Sequence, residues 1–323
     1  ATGKTVTLGT GEKAPVTEGN DKMSIGVTLQ TAGKLTGSGT EALINCFIPD
    51  DAAYSVLLHN NGTPNDQTDD YLQLIIPPHV HNMGTVDTTD DLTFQPWTNA
   101  TELPDTAGNY YLDTDVTLSA TWNVPAGTEQ APAVTNLCLN GHVIDANEGN
   151  FNVITVPENA ELNLYDCKES GKVTGSYNME GTSGGVYVSG TFNLYGGAIS
   201  DNINCNDGYE LAGGVYVDSS GTFNMSGGMI RHNGTMDAYG SVCVDGGTFN
   251  LSGGTISRNY GGNVGLVNGG KMTMTGGEIS GNAWGGTGGG VAVTTGATFE
   301  MTGGTITGNT AFIGGGVFVD YGG

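Results

Sequence analysis

The sequence predicts an all-β protein, a right-handed parallel β-helix preceded by a small β-sandwich-like domain. The solenoid has a triangular section and about 23–31 residues per coil. Three observations predict it. The phrase "GTFNLSGGTISRN" (247–259) returns in altered spelling through the second half of the chain. Within each copy the apolar residues alternate with polar ones in short bursts, and no helical stripe of period 3.6 occurs. Glycine, asparagine and aspartate recur at constant offsets between the bursts, where a chain of short strands needs corners.

Residues 1–78 carry longer apolar segments without a repeat: "KTVTL", "MSIGVTL", "EALINCFI", "YSVLLHN" and "YLQLIIPP". Alternation bounded by polar loops predicts strands of a small, immunoglobulin-like β-sandwich. Residues 79–91 are polar and unperiodic, and are expected as a linker. Residues 92–134 are expected to cap and close the first coil, because the open end of a solenoid is an unpaired edge. The repeats then fill 135–323.

In the repeats, the valine of each "GGV" burst ("GSV" in one copy) sets the register: Val186, Val215, Val242, Val291 and Val317, with Gly265 assigned to the same slot in the degenerate copy "NVGLVNGG". The other columns keep step. One is Phe192, Phe223, Phe249, Met272 and Phe299; another is Leu194, Met225, Leu251, Met274 and Met301; a third is Ile199, Ile230, Ile256, Ile279 and Ile306. Three short strands per coil would stack each coil about 4.8 Å above the last, turning these columns into interior ladders. Asn202, Asn233, Asn259, Asn282 and Asn309 each fall three residues after a ladder isoleucine. They are expected at tight corners, in the left-handed backbone region that asparagine tolerates, with their amides bonded up the stack. Paired glycines such as Gly253 and Gly254 supply positive φ at the neighbouring corner.

From about residue 92 onward this pattern resembles the right-handed parallel β-helix repeat of large bacterial cell-surface proteins, many of them regarded as adhesins. The resemblance rests on "LPDTAGNYYLDTDVTLSATWNV", "LCLNGHVI", "LNLYDC" and the run of "GGVYV…GTFNLYGG" coils. It implies a secreted or surface-bound bacterial protein that adheres to glycan or glycoprotein of a host or another microbe. The coil specifies a fold better than a function, since β-helices also carry lyases and glycosidases.

Composition narrows the partners. Thirty-three acidic residues against nine Lys and Arg give a net charge of −24. Such a surface repels nucleic acid and anionic lipid, so neither is expected as a partner. Nor does any stretch approach the length of apolar sequence that inserts as a membrane helix. Glycine is over-represented, with 56 residues, yet it does not recur at every third position as collagen requires. The chain opens at Ala1 without a leader and ends inside a repeat, "GGGVFVDYGG", which suggests a fragment of something longer. Five cysteines (46, 138, 167, 205 and 243) show no CxxC spacing, so no zinc knuckle is expected and their pairing is open.

Function must lie in what varies between coils. The loops after each ladder asparagine all bring an aromatic: Tyr209, Tyr239, Tyr260, Trp284 and Phe312. Aromatic platforms beside carboxylates and amides hold pyranose rings, so this series is the best candidate glycan site, although sealing of the long corner by loop packing is the favoured reading. Asp218 and Asp245 share a slot in adjacent coils, and stacking would bring them near the separation of a retaining glycosidase pair. "DSSG" and "DGG" also suit ordinary turns, and Asp320 repeats the slot in "DYGG". A non-catalytic adhesin or glycan-binding stalk is therefore expected, with a polysaccharide-active enzyme using Asp218 and Asp245 as the alternative and a bare structural spacer as the second. Thr191/Asn193, Thr222/Asn224, Thr248/Asn250, Lys271/Thr273 and Thr298/Glu300 form a regular outward face, best read as solvated. Asp66, Asp69 and Asp70 in "NNGTPNDQTDD" have a composition calcium accepts, but without the spacing of an EF-hand loop a plain polar loop is the expected reading. On a strand, His79 and His81 would place two imidazoles on one face, half of a metal site, but no third ligand is near in sequence and a solvated linker pair is the expected reading. No cofactor is expected; calcium at the three aspartates is the one possibility left open.

Overall fold

The computed structural model describes residues 79–81 and 91–322, apart from 207–210, 236–239, 262–263, 284 and 295, together with the backbone of four earlier strands. The chain divides into two compact units, 1–79 and 80–323, with the division falling inside the strand His79–His81.

In the first unit, Val6–Thr7, Lys34–Thr36, Tyr71–Ile75 and Ser55–His59 form a four-stranded sheet in that order. The first pair runs parallel and the other two antiparallel. The sandwich expected over 1–78 otherwise lies outside the described residues.

The second unit is a parallel β-solenoid of about seven turns, all β among its described residues. Three sheets form its walls. The first holds Leu92–Trp97, Asn109–Leu112, Ala133–Cys138, Ala160–Tyr165, Thr191–Leu194, Thr222–Met225, Thr248–Leu251, Lys271–Met274 and Thr298–Met301, with His79–His81 as its terminal strand. The second runs through Ala198–Ser200, Met229–Arg231, Thr255–Ser257, Glu278–Ser280 and Thr305–Thr307, and the third through the V-x-V strands from Val186–Val188 to Val317–Val319. Residues 79–81, expected within a linker, are thus part of the solenoid's sheet, and 92–123 already make a coil paired in parallel to the next.

Like stacks on like, as the alternation requires. Phe192, Phe223 and Phe249 are fully buried, their rings stacked face to face at 5.1 and 4.7 Å. The valine, Leu/Met and isoleucine columns complete one continuous core. The last described coil leaves Met301, Val317 and Val319 exposed.

Two details of register differ from expectation. Val264, not Gly265, stacks on Val242, and Gly265 falls opposite Cys243. A one-residue slip in a strand turns every side chain to the other face. Placing Gly265 inward would have expelled Val264 and Leu266, both fully buried here. At the asparagine corners, the left-handed residue is the one before the asparagine: Asp201 (φ 58°), His232 (54°), Arg258 (55°), Gly281 (62°) and Gly308 (62°). The asparagine itself turns inward. Asn233 accepts from the backbone N–H and Nδ2 of Asn202 at 3.1 and 3.2 Å, and donates to Ile199 O and to Asn259 Oδ1. The same pattern continues through Asn259, Asn282 and Asn309. This corner needs its asparagine as a buried hydrogen-bond spine, and the preceding residue bears the positive φ.

The glycine pair works as expected. Gly254 has φ 82°. A Cβ on Gly253 would lie 2.2 Å from Ser226 O of the coil below, so only a bare backbone passes there.

Candidate functional site

Three surfaces of the solenoid carry chemistry-bearing side chains. The outer face of the third sheet carries Tyr187 and Tyr216, stacked in register with ring centroids 5.5 Å apart. Each tyrosine reaches up one coil to an aspartate: Tyr187 Oη donates to Asp218 Oδ2 at 2.8 Å, and Tyr216 Oη donates to Asp245 Oδ2 at 2.5 Å. Asp218 also accepts from Ser189 Oγ at 2.7 Å and from the hydroxyl and N–H of Ser220, while Asp245 accepts from Asn268 Nδ2 at 2.8 Å.

Burial works to raise the Asp218 pKa, but the hydrogen bonds from Ser189, Tyr187 and Ser220 outweigh it and hold the carboxyl below the usual range. Burial and then the Asp245 bond push the Tyr216 hydroxyl up. The arrangement clamps each coil to the next through a charge-assisted bond. Asp218 is therefore tuned toward the anion, unlike a glycosidase general acid, which is tuned upward, though like the ionised nucleophile of a retaining pair. This has a pH signature. A carboxyl with a lowered folded pKa stabilises the fold above its unfolded value, about 3.9, and that contribution disappears as pH falls through the folded value. Asp218→Ala should therefore melt lower than the parent chain at neutral pH, with the gap closing on acidification below about pH 4. A gap that is constant across that range would mean the carboxylate contributes nothing electrostatic.

The second surface is the outer face of the first sheet. Its asparagines form a ladder, with Nδ2 of Asn136, Asn163, Asn193, Asn224 and Asn250 donating to Oδ1 of the asparagine one coil below at 2.7–2.9 Å. The amides are largely satisfied by one another. The ladder's asparagines stop at Thr273, the register partner of Asn250. At the opposite end an open groove of about 500 Å³ is lined by Trp97, Glu102, Pro104, Asp105, Thr121 and Trp122. Both indoles are pinned by the "LPDTAG" segment and its flank, Trp97 Nε1 donating to Glu102 O and Trp122 Nε1 to Pro104 O.

The third surface is a corner column beside the second sheet. Tyr177 pairs with Ile203, Ile203 with Gly234, and Gly234 with Tyr260. Tyr177 (42% exposed), Ile203 (39%) and Tyr260 (74%) present apolar surface to solvent. A Cβ on Gly234 would meet nothing closer than 3.6 Å, so the stripe is notched there.

Of the aromatic series expected at the loops, Tyr260 and Phe312 are described and both are strongly exposed, Phe312 at 85%. They do not share a column: Ala283 is the register partner of Tyr260, and Thr310 that of Ala283. Tyr209, Tyr239 and Trp284 lie outside the described residues, as do Asp66, Asp69 and Asp70. Sequence reading missed Tyr177 and Ile203 because it followed loop aromatics by their distance from the asparagine. The register instead runs through strand Lys172–Asn178.

The described residues form a parallel β-solenoid with hydrogen-bonded outer ladders and an exposed apolar column through Tyr177, Ile203 and Tyr260. No family model, curated protein or solved structure matches the chain.

Proposed function

We propose that this protein is a non-catalytic, extracellular bacterial adhesin or stalk that holds glycan along the Tyr177–Ile203–Gly234–Tyr260 column. The observation that carries this reading is the solvent exposure of two tyrosines on a rigid, notched edge of strands. Three coil steps separate them, about 14 Å, room for a short oligosaccharide lying across the coils. Tyrosine offers a flat apolar face with a polar rim, the combination that packs on a pyranose ring. A net charge of −24 favours neutral or cationic sugars over uronates and sulfates. The tyrosine bonds on Asp218 and Asp245 support a non-catalytic reading over the enzyme alternative.

Each stacked ring contributes on the order of 1 kcal/mol, so one chain should bind weakly and retention should depend on many copies. Tyr177→Ala/Tyr260→Ala should abolish retention of a multivalent display on neutral glycan or mucin arrays, with the melting temperature nearly unchanged. Undiminished retention by the double variant would reject the site, and a steep fall in melting temperature would make both rings structural.

A further inference from the structure

The terminal strand of the first sheet, His79–His81, puts both imidazoles on one face by the pleat's alternation and turns Val80 outward. Cys138 ends the strand Ala133–Cys138, and its register partner one coil up is Tyr165. Cys167 lies two residues beyond that tyrosine. One ligand atom from each of His79, His81, Cys138 and Cys167 lies within 4.8 Å of every other. The two sulfurs are 3.7 Å apart.

That last distance fits a metal. Zinc bound tetrahedrally to two thiolates at ~2.3 Å holds its sulfurs ~3.8 Å apart, the edge of the tetrahedron, whereas a disulfide needs ~2.05 Å. No separation in the cluster exceeds 4.8 Å, so reaching a tetrahedral edge of ~3.3–3.8 Å requires each pair to close by at most about 1.5 Å, a movement of side-chain torsions. The surroundings orient the ligands. The His81 ring lies 4.6 Å from Phe94 and 4.9 Å from Tyr165, centre to centre. Phe94, Tyr165 and fully buried Cys138 form an apolar cluster separate from the main core. Cys167 is exposed and opens the cluster to solvent. Two imidazoles and two thiols are borderline-to-soft ligands that suit zinc, while the oxygen-seeking calcium and magnesium find no carboxylate among them.

We propose that His79, His81, Cys138 and Cys167 bind one structural zinc ion, which fixes the terminal strand to the coils carrying the two cysteines. Binding releases the two thiol protons to solvent and leaves the metal four-coordinate, with no position for substrate. The competing state is a Cys138–Cys167 disulfide, which would consume both sulfur ligands.

The full chain, purified with its thiols reduced and dialysed against zinc at micromolar free concentration, should retain about one equivalent by mass spectrometry of the metal. Cobalt in its place should give the intense visible bands of a tetrahedral ion and thiolate-to-metal charge transfer in the near ultraviolet. Cys167→Ser and His81→Ala should each lose the charge-transfer intensity or the tetrahedral bands, and Cys205→Ser should keep both. Because the first readout uses the unaltered chain, a variant that fails to fold does not weaken the test. The proposal is overturned if the reduced parent chain retains no zinc, if Cys138→Ser/Cys167→Ser retains it, or if cobalt binds with an octahedral spectrum.

Discussion

Phe249→Ala is expected to lower stability by about 3–5 kcal/mol, the usual consequence of removing a buried phenylalanine. Its ring is fully buried, stacked at 4.7 Å on Phe223 below and paired in register with Met272 above. The hydrogen-bonded walls fix the coil spacing, so the stack cannot settle into the gap and the cavity persists. In a solenoid each coil touches only its neighbours, so damage to one should split thermal unfolding into two transitions, one on each side of the injury. Thr248→Ala, one residue away on the outer face, should change stability by no more than about 0.5 kcal/mol. Equal melting of the two variants would mean that inner and outer faces are exchanged.

Asn233→Ala should rival it without removing any large side chain. Asn233 is fully buried, and its amide joins three coils. Its loss strands the Asn202 backbone N–H and takes one donor from the Ile199 carbonyl. A buried polar group left without its partner costs about 1–3 kcal/mol, so about 2–5 kcal/mol is expected from the pair. Asn233→Asp should be worse at neutral pH. A carboxylate oxygen would replace the donating nitrogen and face both Ile199 O and Asn259 Oδ1, adding an uncompensated buried charge. Urea unfolding with hydrogen exchange at Asn202 and Ile230 measures both effects. An Asn233→Ala variant as stable as the parent chain would show the spine to be ornamental.

Much of this fold was legible because its signal is local. Alternation of period two shows which residues point inward, and a repeat of about 23–31 residues carries that assignment from Phe192 to Phe299. What escaped is what depends on register between coils. "NVGLVNGG" lacks the glycine pair that precedes the valine in four of the other copies, and only the burial of Val264 and Leu266 resolves its frame. The asparagine spine was expected, but its φ was assigned to the wrong residue, since Asp201, His232 and Arg258 are poor advertisements for a left-handed corner. Of the candidate site, Tyr260 was found and Tyr177 was not, because their shared column passes through Ile203 and Gly234, which carry no aromatic. The His–Cys cluster escaped for the same reason. Cys138 and Cys167 lie about one coil apart in sequence, a spacing invisible to any search for closely spaced ligands but natural to a stacked chain.

The central claim is that sequence distance converts to height at one coil per repeat, and pulsed dipolar spectroscopy tests it directly. Glu161, Thr191, Thr222, Thr248, Lys271 and Thr298 occupy one register column on the outer face of the first sheet. Spin labels carried on an unnatural amino acid avoid the native cysteines. With a rise of ~4.8 Å per coil, Thr191 and Thr298 should lie ~19 Å apart and Glu161 and Thr298 ~24 Å apart. Distances that lengthen by one such step per coil are the expected result. Pair distances that ignore the number of intervening coils would contradict the stacked register on which the core, the spine and the site all depend.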